Sequence, residues 1–294
     1  MENIINLCNK YNINILFDDN KYGKCMGIGD VLFNILCMKN NFLEKPIYIN
    51  LAYFTNTDTY ANPLNQLEFR IKLIFDLLNN NENLSINDVI FIYSNNLYIC
   101  QQIPYNIIDN YKLFMPFDNK NNNLCDIYNN ILQNKYIIFH TKCRHNATEN
   151  YSELKLKCLE FSNNFKCKYN IVIMGEQTFP VTYEINHQIT TVYNELLPLK
   201  NNNCVFDITK NEIYNNLDYD DYKNDVALIS NAQYNICLGQ GGQLCSSIVF
   251  GNNTIFYYKI DNINLNDDLL QKNNHMHFTN LDVMFDCITN ITQN

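Results

Sequence analysis

Between Asp225 and Lys259 the chain reads DVALISNAQYNICLGQGGQLCSSIVFGNNTIFYYK, and this stretch restricts the fold more than any other. Ala227, Leu228, Ile229 and Ala232 close an amphipathic helix. Tyr234 to Leu238 is a short apolar run of the length of one strand in a parallel sheet. Gly239-Gln240-Gly241-Gly242 follows at once. Leu244 to Phe250 has helical spacing, with Gly251 at a helix C-cap position, and Thr254 to Lys259 is the next strand. A glycine turn between the carboxyl end of a strand and a helix N-terminus presents free N–H groups and the positive end of a helix dipole to an anion. In an open α/β sheet, turns of this kind lie at the ligand crevice. Gln240 and Gln243 add neutral donors, and Ser246 and Ser247 add hydroxyls. The plain alternative is that the glycines only allow close packing of helix and strand.

Alternating strand and helix signals run through the rest of the chain. Ile13 to Phe17 reads as a strand, and Gly27-Ile28-Gly29-Asp30 as a glycine loop. Val31 to about Glu44 reads as a helix ended by Pro46, and Ile47 to Leu51 as a strand. The N-terminal part is therefore expected to open as a β–glycine loop–α–β crossover, with Asp30 in the first helical turn. Asn65 to Leu78 is an amphipathic helix and Val89 to Tyr93 a strand. Residues 118–123 are polar and asparagine-rich, the composition of a linker. Beyond them, Tyr136 to His140, Asn170 to Met174 and Cys204 to Ile208 read as strands, and Asp282 to Ile291 as a closing helix. The expected class is α/β, with two Rossmann-like domains facing a cleft, residues 1–123 and residues 124–294.

In the second half, three loops leave strand carboxyl ends: His140–His145, Gly175–Gln177 and Gly239–Gln243. They offer two cations (Lys142, Arg144), a carboxylate (Glu176) and an anion-binding turn. That set suits a nucleoside diphosphate, with guanidinium and amides for phosphate and a carboxylate for ribose hydroxyls. Read singly, Lys142 and Arg144 are ordinary loop charges and His140 a core histidine. Asp218 to Asp221 (DYDD) precedes a helix and reads as a solvated acidic turn, so no metal site is expected.

Twelve cysteines without a CxxC pair or zinc spacing read as free thiols in a reducing compartment. The first residues lack a basic region followed by an apolar core, and no apolar run approaches a membrane span, so a cytoplasmic protein is expected. A net charge of −9 without a basic stripe argues against nucleic acid as a partner.

GIGDVLFNI near the start, the mid-chain strand with its basic loop, VIMGEQ, and ALISNAQYNICLGQGGQLCSSIVFGNNTIFYY stand in the order found in the heptosyltransferase family of GT-B glycosyltransferases, which this chain resembles. The resemblance implies a metal-independent glycosyltransferase that moves a sugar from a nucleotide-diphosphate donor to a glycan or other hydroxyl acceptor, with no cofactor besides that co-substrate. It further implies that Asp30 is the catalytic base and that Gly29 beside it contacts the nucleotide sugar. Glu176 would contact the nucleoside, and Gly239, Gln240, Gly241, Gly242 and Gln243, with Ser246, would hold the donor phosphates. Here Gln240-Gly241-Gly242 replaces the family's usual Asp/Ser-Thr-Gly, and the histidine that follows is not matched. HTKCR also resembles the basic loop of GDP-fucose-using fucosyltransferases, where the arginine holds the diphosphate. The altered turn leaves a non-catalytic binding protein of the same shape as the alternative, with a sugar-nucleotide epimerase as a third reading.

Overall fold

The computed structural model describes residues 2–19, 23–24, 29, 32, 46–54, 63–79, 85–94, 97–98, 130–140, 156–157, 160–161, 169–175, 205–208, 219–238, 242–257 and 275–293. Its class is α/β: two sheets in which every paired strand runs parallel. Two compact units contain them. Unit 1 takes residues 1–116 and 214–222, and unit 2 takes residues 117–213 and 223–294.

In unit 1 the chain opens with α1 (Glu2–Lys10), which the sequence reading passes over. Glu2 and Lys10 sit at the ends that suit the helix dipole, and Ile4 and Cys8 are buried one turn apart. The helix stops where Asn12 takes a left-handed φ of 52° and the Ile13 N–H donates to the Cys8 carbonyl at 2.9 Å. Strands β1 (Ile15–Phe17), β2 (Gly23–Lys24), β3 (Ile47–Asn50), β4 (Val89–Tyr93) and β5 (Leu97–Tyr98) form a sheet of order β1-β4-β3-β2-β5. Helix α2 (Pro63–Asn79) begins with proline at its first position, where the missing N–H costs nothing.

This sheet corrects the expected N-terminal crossover. The strand that precedes the glycine loop is β2, not β1, and β2 is the one paired with β3. β1 lies against β4 instead. The sequence hides this because Gly23–Lys24 carries no apolar alternation, whereas Ile15–Phe17 reads as a strand wherever it pairs. With β2 as origin, β3 and β4 follow outward on one side and β5 lies on the other.

Unit 2 holds β6 (Tyr136–His140), β7 (Asn170–Met174), β8 (Val205–Asp207), β9 (Tyr234–Cys237), β10 (Thr254–Tyr257) and β11 (Met276–Phe278) in the order β11-β10-β9-β6-β7-β8. Its helices include α3 (Tyr219–Asn231), α4 (Gly242–Phe250) and α5 (Leu281–Gln293), though the first residues of α3 group with unit 1. All five residues of β6 and all four of β10 are buried, as in a sheet covered on both faces. Alternate residues of four strands share one face: Ile137 and Phe139, Ile171 and Ile173, Ile236 and Leu238, Ile255 and Tyr257. Leu281, Met284, Phe285 and Ile288 of α5 pack against them at the 3.6-residue period. Among the described residues, no helix is long and apolar enough to cross a membrane.

Candidate functional site

The order of the unit 2 sheet decides where its loops leave. From β6, strands β7 and β8 follow outward on one side, and β9, β10 and β11 on the other. The order therefore reverses between β6 and β9, the topological switch point at which open α/β sheets bind ligands. His140, the last residue of β6, stands level with Cys237, the last of β9. The chain segments that carry Lys142 and Arg144, and Gly239 to Gly241, thus start from adjacent strand ends. Glu176 follows two residues after the end of β7, the next strand along.

Lys142, Arg144, Glu176, Gly239, Gln240 and Gly241 lie outside the described residues, as does Asp30. Gly242 and Gln243 form the start of α4, so the amides of this first turn have no partner within the helix. Ser246 is buried at 2% exposure on the same helix. Gly29 is helical and half-buried in unit 1, and the helical Leu32 is fully buried.

At the middle of α4 lies a buried polar cluster made of β6, β9 and α4 side chains. His140 Nε2 stands 3.0 Å from Ser247 Oγ and 3.5 Å from Asn235 Oδ1. Asn235 Nδ2 donates to the Ile229 carbonyl at 3.0 Å, which turns Oδ1 toward the imidazole. The tautomer with hydrogen on Nε2 satisfies that oxygen, and the other sets a lone pair against it. Among the described residues, Nδ1 has no hydrogen-bond partner. Burial drives the His140 pKa down to about 4, with the Asn235 contact opposing only in part, so the ring is neutral at pH 7. Burial likewise pushes the Cys237 thiol up to about 12 against a weaker pull from Ser247, which makes it a core residue and not a nucleophile.

The far end of α4 is tied to β10. The Ser247 carbonyl accepts from Thr254 Oγ1 at 2.8 Å and from the Gly251 N–H at 2.9 Å. His275, for which the sequence suggests no partner, accepts from the Thr254 N–H at Nδ1 and faces the Ile248 carbonyl through Nε2, both at 3.0 Å. Its role is structural. Gly251 does end the helix, but not through a left-handed φ: a Cβ there would stand 2.5 Å from the Ser247 carbonyl and 2.6 Å from Asn235 Nδ2. Sequence reasoning overlooked Asn235, although its signal was present. A lone amide in the apolar run Tyr234–Cys237 must find partners inside the core.

No protein-family model and no curated protein matches this chain. A solved structure of DNA processing protein A from Helicobacter pylori, described as having a unique single-stranded DNA binding mode, is similar over 56% of this chain and 85% of its own. The identity is 11% and the TM-score 0.32. That neighbour corrects one expectation: excluding nucleic acid as a partner on net charge does not stand, since a DNA-binding protein is found among structures similar to this chain. At this TM-score the likeness carries no argument for DNA binding by this chain either.

Proposed function

We propose that the chain is a metal-independent glycosyltransferase of GT-B type, with unit 2 holding a nucleotide-diphosphate sugar at the β6–β9 switch point and unit 1 serving a hydroxyl acceptor. The observation that supports this reading is that the glycine-rich segment joining β9 to α4 stands where strand order reverses. A diphosphate there faces first-turn amides, while the segment carrying Lys142 and Arg144 leaves the neighbouring strand. Departure of the diphosphate calls for stabilised negative charge, and amides with a guanidinium supply it. Glu176, past β7, is placed in sequence to reach a ribose. Asp30, which follows Gly29 in sequence, is the base assigned to the acceptor hydroxyl. The order of the motifs, similar to the heptosyltransferase family, agrees with these roles. We assign the chain to the cytoplasm, a reading supported among the described residues by the free thiols of Cys8, Cys237 and Cys287.

Thermal shift and calorimetry with UDP, GDP, ADP and dTDP test the donor site, because a ligand of the native state raises its stability. One of the four is expected to bind, and its sugar conjugate to be hydrolysed or transferred. Binding without turnover would convert the reading to a binding protein, and no binding by any of the four would remove it.

A further inference from the structure

His140 is a buried titratable group that the donor-site reading leaves unused. His140 is 1% exposed, and with its pKa near 4 about one ring in a thousand is cationic at pH 7. It cannot serve as a charged phosphate contact. What its ring does is span the space between the end of β6 and the middle of α4, with Nε2 3.0 Å from Ser247 Oγ. Ser247 is also where α4 is tied to β10, through its carbonyl and Thr254 Oγ1. The helix is thus held at one residue from two strands.

We propose that His140 is a positioning residue: through Ser247 it fixes α4 against the end of β6, and so sets where the first-turn amides stand for a diphosphate. This deepens the donor-site reading and rests on it. The physical reason is geometric. Hydrogen bonds weaken steeply with angle and distance, and the dipole's effect is confined to the first turn. A helix free to slide relative to β6 would present its amides poorly to a ligand shared with the neighbouring loop, and small misplacements carry large losses. An apolar residue at position 140 would fill the space without holding the helix. A glutamine keeps an amide within reach of Ser247.

The test uses the full chain with four variants: His140→Leu, His140→Gln, Ser247→Ala and the double variant His140→Leu/Ser247→Ala. Two quantities are measured: the Kd for whichever of UDP, GDP, ADP or dTDP binds the wild type, and amide hydrogen exchange across residues 242–250. His140→Leu and Ser247→Ala are each expected to weaken binding about tenfold, and the double variant no more than either, because both break one link. His140→Gln should stay within about threefold of wild type. Exchange in 242–250 should quicken in His140→Leu and Ser247→Ala and not in His140→Gln. A lower melting temperature with unchanged Kd and unchanged exchange in that segment would show a merely structural histidine and overturn the proposal, as would additive losses in the double variant. If His140→Leu does not fold, Ser247→Ala and His140→Gln carry the same comparison. If no nucleotide binds the wild type, the donor reading fails on its own. Exchange then judges the link, with unaltered protection of 242–250 in Ser247→Ala counting against it.

Discussion

Gly251→Ala is the substitution whose effect the structure defines most closely. The added methyl would meet the Ser247 carbonyl at 2.5 Å and Asn235 Nδ2 at 2.6 Å, with Thr254 Oγ1 at 3.4 Å. Neither of the two close atoms can give way freely. The carbonyl belongs to the α4 backbone and already accepts from Gly251 and Thr254. The amide is buried and committed to the Ile229 carbonyl. Forcing a methyl into a packed site costs about 1–3 kcal/mol. Displacing the Asn235 amide from its acceptor adds about 1–3 kcal/mol for an unsatisfied buried group. Alanine restricts the unfolded chain more than glycine, which returns about 0.4–1 kcal/mol. The net expectation is a loss of about 1–5 kcal/mol, centred on about 3 kcal/mol. Urea unfolding followed by circular dichroism measures it, in the transition assigned to unit 2. In an Asn235→Ala background the same substitution should cost less but still destabilise, because the clash with the Ser247 carbonyl persists. A Gly251→Ala protein within about 0.5 kcal/mol of wild type would refute the close-approach argument.

The remaining expectations concern pH, unit 1 and the proposed chemistry. His140 has a folded pKa of about 4 against an ordinary 6.5, so between these values the unfolded chain binds more protons. The associated stability is complete above pH 6.5 and is lost as pH falls through about 4, amounting to about 3 kcal/mol; urea midpoints from pH 7.5 to 4 should fall less steeply in His140→Gln. Tyr219→Phe removes a hydroxyl that donates to Asp76 Oδ2 at 2.7 Å while keeping the ring against Phe69 and Tyr222, so unit 1 should lose about 1.5–3 kcal/mol in the same assay. For the donor site, Arg144→Ala should weaken binding of the preferred nucleoside diphosphate by about 1.5–3 kcal/mol in calorimetry, and an unchanged Kd would make Arg144 a surface charge. Asp30→Asn should leave donor affinity and melting temperature near wild type and lower transfer by about 10²–10⁴-fold; wild-type turnover would remove it from the mechanism.

The sequence by itself determined the elements whose signal is local. β6, β7, β9 and β10 are apolar runs of strand length, and α2 and α5 carry apolar residues at helical spacing, because burial on one or both faces imposes that pattern on neighbouring residues. The β9–glycine–α4 succession was readable for the same reason. β2 and β11 were not, because two or three residues of strand carry too little periodicity and Gly23–Lys24 has no apolar side chain to bury; α1 carries a legible amphipathic pattern that the sequence reading passed over. Tertiary structure alone decided which strands are neighbours, since hydrogen-bonded pairing joins segments far apart and leaves no mark on either one. It put β1 beside β4, gave β2 the place expected of β1, and set the reversal of order between β6 and β9. It also joined His140 to Ser247 across 107 positions and gave Gly251 its reason for being glycine. A glycine loop can be seen in a sequence, but what stands behind it depends on which distant side chains the sheet order brings to that edge.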